Sequence, residues 1–94
     1  MLASCSTSDQ NGVPGCVIDV AESQDAVAIS LWIAADGVQY FFIKSDCCDQ
    51  FDELYDADCN YVCAPSGGFS GGGDGQCTAA ILGGRIGREP LWSK

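Results

Sequence analysis

Histidine is missing from this 94-residue chain, and only four residues, Lys and Arg together, carry positive charge. Without histidine there is no Cys-His or Ser-His dyad, no mixed Cys/His zinc set, and no side chain that titrates unperturbed near neutral pH. The usual equipment of an enzyme is absent, so the reading is a non-enzyme that calls for no cofactor. A net charge of −9 argues against nucleic acid as a partner, because phosphates need a basic surface. No apolar run approaches the ~20 residues that span a bilayer. The start also lacks the charged and apolar regions of a complete signal peptide.

What the chain has in quantity is cysteine: Cys5, Cys16, Cys47, Cys48, Cys59, Cys63 and Cys77. One small domain buries a modest core and commonly needs staples. Many cysteines imply an oxidising compartment. That implication and the missing signal peptide are reconciled by a longer precursor. The first residues, Met1-Leu2-Ala3-Ser4-Cys5, have the shape of a bacterial lipobox, in which the cysteine carries the lipid. Ser6 to Gly12 follows as a polar tether, so Cys5 is the expected lipid attachment point and takes no part in the fold. The other six cysteines are expected in disulfides, with 15 pairings open. Adjacent Cys47 and Cys48 should reach different partners, since a ring between neighbours is strained. Their spacing is also wrong for zinc knuckles.

Residues 1–12 thus read as lipobox remnant and tether, 13–77 as a disulfide-stapled β-rich domain, and 78–94 as a C-terminal tail. Pro14 suits a first helical turn, and Cys16 to Gln24 reads as a short helix with Cys16, Val17 and Val20 inward; a strand is the alternative. Two apolar runs flank Asp36-Gly37, a strong hairpin signal, and predict strands over 26–34 and 38–44. Their bulky residues should supply most of the core. Two short strands, 53–55 and 61–63, should flank the turn Asp56 to Asn60, with a second turn over Ala64 to Gly68. The fold class is a small β-rich (α+β) disulfide-stapled domain of β-hairpins with one short N-terminal helix.

Six acids and no base lie between Asp46 and Asp58. Within that run, Asp56, Asp58 and Asn60 have the spacing of the first three ligands of a calcium loop. Tyr61 then stands where such a loop needs glycine, and Gly67 where it needs a bidentate Glu. A plain turn accounts for them better, and a weaker cation site using Asp49, Asp52 or Asp74 stays open. The glycine-rich stretch Gly67 to Gly75 lacks the Gly-Lys-Ser/Thr ending of a phosphate loop. It reads instead as a tight, disulfide-bounded loop using positive φ angles.

The series Tyr40, Cys47-Cys48-Asp49, Leu54-Tyr55-Asp56, Asn60, Cys63 with Pro65, Gly67-Gly68, Gly71, Gly73-Asp74-Gly75, Cys77 and a closing Leu91-Trp92 with Lys94 resembles a family of small bacterial secreted proteins and lipoproteins known only as a domain of unknown function. Cys59 stands where that family usually has glycine, and Ser66 where it usually has aspartate. The resemblance implies no activity; it favours the lipobox reading of Cys5. The expected function is therefore an envelope-displayed, non-enzymatic binding or structural module in the bacterial envelope or outside the cell. Its partner is an envelope or extracellular protein, and it meets the membrane through the anchor alone. The alternatives are a secreted protease-inhibitor-like module presenting the rigid loop 64–76, and a weak calcium-dependent binding module.

Overall fold

The computed structural model describes residues 12–45, 50–68 and 72–94. It is a β-rich domain with one short N-terminal helix: a curled antiparallel sheet with a helix on each face. Helix α1 spans Gly15–Ser23 and starts at Pro14, whose carbonyl accepts the amides of Val17 and Ile18 at 3.0 and 3.2 Å. Its β-branched residues are poor helix formers, but they face the sheet, and packing outweighs propensity. The inward row is Val17, Ile18 and Ala21, all fully buried. Cys16 and Val20, expected inward, are half-buried. Asp25, at φ 56, turns the chain into the sheet.

The strands are β1 (Ala28–Ile33), β2 (Gln39–Lys44), β3 (Phe51–Tyr55) and β4 (Tyr61–Gly67), in the order β4-β3-β2-β1. The β1–β2 turn runs through Asp36-Gly37 as expected. Gly37 adopts φ 89, and Asp36 Oδ1 accepts the Val38 amide at 3.1 Å. Successive residues of β2 go to opposite faces. Ile43 and Phe41 meet α1 with Val13, Ile29 and Ala26, whereas Phe42 meets Leu54, Cys63, Ala34 and Ile81 on the other face. Both faces are covered, which is why β1 and β2 read as unbroken apolar runs rather than alternating ones. The bulky hairpin residues share the core with smaller ones. Fully buried are Ile18, Ile29, Ile43, Leu54, Val13, Val17 and Cys63, while Leu31 and Ile33 stay half-exposed.

Two expectations are corrected. Ala64 to Gly68 is no turn: β4 continues to Gly67, with Phe51 opposite Gly67 and Asp52 opposite Ser66. Residues 78–94 are no tail. They form α2 (Ala79–Leu82), β5 (Arg85–Ile86) and β6 (Trp92–Ser93). Strand β5 pairs with Trp32 and Ile33, and β6 with Ala28 and Ile29, so two short strands share the free edge of β1. Thr78 caps α2 by accepting the Ile81 amide at 3.3 Å, and Trp32 Nε1 donates to the Ile81 carbonyl at 3.0 Å. The apolar patch of this segment is thereby held on the second face.

Among the described residues, two disulfides staple the domain. Cys16–Cys59 ties the first turn of α1 to the β3–β4 turn, with Cα atoms 6.2 Å apart. Cys63–Cys77 closes the glycine-rich segment at 5.2 Å. The expectations for Cys5, Cys47 and Cys48 lie outside the described residues. Disulfides mark an oxidising environment. Among the described residues, no helix is long and apolar enough to cross a membrane.

Candidate functional site

Of the acidic residues that suggested a cation site, Asp52, Asp56 and Asp74 are occupied as hydrogen-bond acceptors, and Asp49 lies outside the described residues. At the β3–β4 turn, Asp56 Oδ1 accepts the amides of Asp58 and Asn60, both at 2.9 Å, and Oδ2 accepts Asn60 Nδ2 at 3.4 Å. The Asn60 amide, ahead of the Asp58 amide and the Asn60 side chain, holds the Asp56 carboxyl below its ordinary value. The calcium-like spacing is thus used to close a turn around Cys59, which adopts φ 68.

Asp74 forms a second clasp. One oxygen accepts the Tyr61 hydroxyl; the other accepts the amides of Ala64 at 3.1 Å and Gln76 at 2.9 Å. The Asp74 amide also donates to the Ala64 carbonyl at 3.0 Å. The Tyr61 hydroxyl, with those amides, lowers the Asp74 carboxyl, while burial and Asp74 push Tyr61 up. Gly67, Gly68, Gly73 and Gly75 all have positive φ, as the disulfide-bounded loop requires. Among the described residues, no three Cys, Asp or Glu side chains gather as a metal would need. Millimolar calcium is therefore expected to raise the melting temperature by less than about 2 °C. A site tighter than about 10 µM would add over ~2.7 kcal/mol at 1 mM, and calorimetry with and without calcium separates the two.

Asp52 is buried beneath the start of β3. It accepts the Ser45 amide at 2.9 Å, the Ser45 hydroxyl at 3.0 Å and the Ser66 hydroxyl at 3.0 Å, with Lys44 Nζ at 3.5 Å. Burial pushes its carboxyl up, but the Ser45 and Ser66 hydrogen bonds and the Lys44 charge outweigh it, so the net shift is downward. Asp52 therefore stabilises the fold fully above the unfolded pKa of about 3.9 and less as pH falls through the lower folded value. Asp52→Asn should cost about 2–3 kcal/mol at pH 7, and its deficit should narrow below about pH 4. Melting temperatures of both proteins from pH 7 to pH 2 check this; a constant deficit contradicts it.

Two open hollows flank the end of α1. One, of about 410 Å³, lies between Glu22, Asp25, Ala26, Trp92, Ser93 and Lys94. Lys94 Nζ reaches across it to within 3.8 Å of Asp25. The other, of about 450 Å³, has the last turn of α1 as its wall and β3 as its floor, and is lined by Ser23, Gln24, Gln50, Phe51 and Glu53. Phe51, Glu53 and Tyr55 alternate along β3 and so share one face. Glu53 Oε1 accepts Gln24 Nε2 at 2.9 Å and the Tyr55 hydroxyl at 3.1 Å, which fixes the carboxylate over the strand. Burial, then Glu53, pushes the Tyr55 hydroxyl up to about 12, so it keeps the proton it donates.

Phe51 is held from below. A Cβ on Gly68 would lie 2.5 Å from Phe51 Cε1, so the ring packs directly against that glycine. Yet 41% of Phe51 remains exposed. Phe51, Gln24 and Gln50 carry no motif, and sequence reasoning passed over them. The available signal was an aromatic on the same strand face as Glu53, beside a glycine pair.

A family model described as "Domain of unknown function (DUF6970)" matches residues 22–88, from the last turn of α1 through β5. Neither the curated proteins nor the solved structures contain a match.

Proposed function

The chain belongs to this family of unknown function, and from that premise we propose that it is a non-enzymatic binding module displayed outside the bacterial cytoplasm from a lipid on Cys5. The observation that carries the reading is the α1–β3 hollow, whose groups are fixed before any ligand arrives. The Cys16–Cys59 bridge ties the first turn of the same helix to the turn that follows β3. Glu53 is held by two donors, an arrangement that suits holding a ligand better than shuttling a proton. Fixing such groups in advance lowers the ordering cost of binding.

The anchor fits the way the chain enters the fold. Val13 is fully buried, so the chain is held in the fold from that residue onward, and in this reading the polar sequence Ser6 to Gly12 serves as the tether. One acyl chain binds a membrane marginally, and stable anchoring takes two or more. Expression of the full-length gene in a bacterium, followed by intact mass of the membrane fraction, tests this. A diacylglyceryl group on Cys5, lost in Cys5→Ser with release of soluble folded protein, is the expected result. A disulfide from Cys5 to another cysteine overturns it.

The inhibitor alternative fits the loop less well. A reactive loop presents extended, unpaired backbone to a protease, whereas Ala64 to Gly67 belongs to β4 and Gly73 and Asp74 bond back onto it.

A further inference from the structure

The hollow between α1 and β3 combines one apolar platform with a ring of polar groups, and that combination selects a chemistry. Phe51 supplies an aromatic ring that packs against Gly68 and remains 41% exposed. Around it stand a carboxylate (Glu53), two primary amides (Gln24, Gln50) and a hydroxyl (Ser23). The amides offer both donors and acceptors. Ser23 donates its proton to the Val20 carbonyl at 2.8 Å, which leaves its oxygen as an acceptor. Phe51 and Glu53 are two residues apart, about 7 Å along the strand.

We propose that this hollow is a saccharide site, in which a neutral β-gluco-configured pyranose stacks on Phe51 and presents its hydroxyls to Glu53, Gln24, Gln50 and Ser23. A pyranose with equatorial hydroxyls has axial C–H bonds on its broad faces and alternating donors and acceptors around its edge. The broad face matches the exposed ring, and the edge matches the amide and carboxylate rim. A purely apolar ligand would leave the rim unsatisfied, which is costly. An anionic sugar would meet Glu53 and a chain of net charge −9. The volume of about 450 Å³ falls among ligand hollows of roughly 300–1,000 Å³. This inference deepens the binding-module reading and rests on it.

The test is a two-dimensional 1H–15N NMR titration of the oxidised protein with cellotriose and with chitotriose. Binding at about 1 mM or tighter to one of them is expected, with shifts at the Gln24 and Gln50 side-chain amides and at the Phe51 and Glu53 backbone. Phe51→Ala should weaken it at least tenfold, and Glu53→Gln several-fold. Should Phe51→Ala fail to fold, Phe51→Leu keeps apolar bulk without a flat face and should lose binding equally, whereas Phe51→Trp should retain it. Unshifted spectra with both probes, or shifts confined to the Trp92 side of α1, overturn the proposal. So does binding that Phe51→Leu leaves intact. Cleavage of a bound probe would uphold the saccharide site while refuting the non-enzymatic reading. Lipid-modified Cys5 in a protein that binds neither probe would refute the saccharide site alone.

Discussion

Dithiothreitol is expected to unfold the oxidised protein at room temperature. The two bridges close separate loops, 43 and 14 residues apart in sequence, so their effects on the unfolded chain add. In the chain-entropy account the shorter is worth about 3 kcal/mol and the longer about 4 kcal/mol. The whole net stability of a small domain is only about 5–15 kcal/mol. The bridges also hold what little else would. Without Cys16–Cys59, α1 keeps its apolar contacts but loses its link to the β3–β4 turn; without Cys63–Cys77, the Asp74 segment is held to β4 by its hydrogen bonds alone. Near-ultraviolet circular dichroism and the melting temperature, before and after reduction, decide the matter. A reduced protein that keeps both would show that packing alone carries the fold.

Gly73→Ala should lower the melting temperature by more than about 12 °C, and Gly75→Ala by much less. Both glycines have positive φ, 82 and 76, so each substitution carries the left-handed penalty of about 1–2 kcal/mol. Only Gly73 is also confined. A Cβ there would lie 2.1 Å from the Ala64 carbonyl oxygen and 2.9 Å from the Pro65 carbonyl carbon, whereas Gly75 faces open space. Relieving that clash means separating the segment from β4 and losing hydrogen bonds made to the Asp74 carboxylate, worth about 1.5–3 kcal/mol each. A further ~2 kcal/mol converts to roughly 8 °C or more in a domain this size. Parallel thermal melts test the pair, and equal drops would mean that the close approach of Gly73 to β4 contributes nothing.

Local signals were legible in the sequence and distant pairings were not. Asp36-Gly37 announced the β1–β2 hairpin because a tight turn needs those residues wherever it occurs. Helix α1 could be placed because Pro14 marks its start, but its inward row depends on where the sheet lies, and Ile18 rather than Cys16 proved buried. Pro65 suggested a turn, yet β4 passes through it. At the outer strand of the β4-β3-β2-β1 order, a proline can leave its missing donor off the ladder. Strands β5 and β6 are two residues each, too short for any periodicity to show. Only the distant β1 gives them a reason to be strands. The acids Asp56 and Asp74 were visible as candidates, but their roles as acceptors depend on backbone amides that composition does not reveal. Phe51 carries no local signal, because Gly68, against which it packs, lies seventeen positions away.

The split pairing on β1 also sets the order in which the molecule can be completed. As the chain is made from its N-terminus, α1 and the β1–β2–β3–β4 meander can form from neighbours in sequence. One long edge of β1 then stays open, with its carbonyls at Val27, Ile29 and Leu31 waiting for the amides of Lys94, Leu91 and Gly87. An apolar strand with a bare edge invites pairing with other chains. The sticky interval therefore lasts until about residue 94 has been synthesised. Because the disulfides mark an oxidising environment, closure of the sheet and formation of the Cys63–Cys77 bridge become steps in the same race against aggregation.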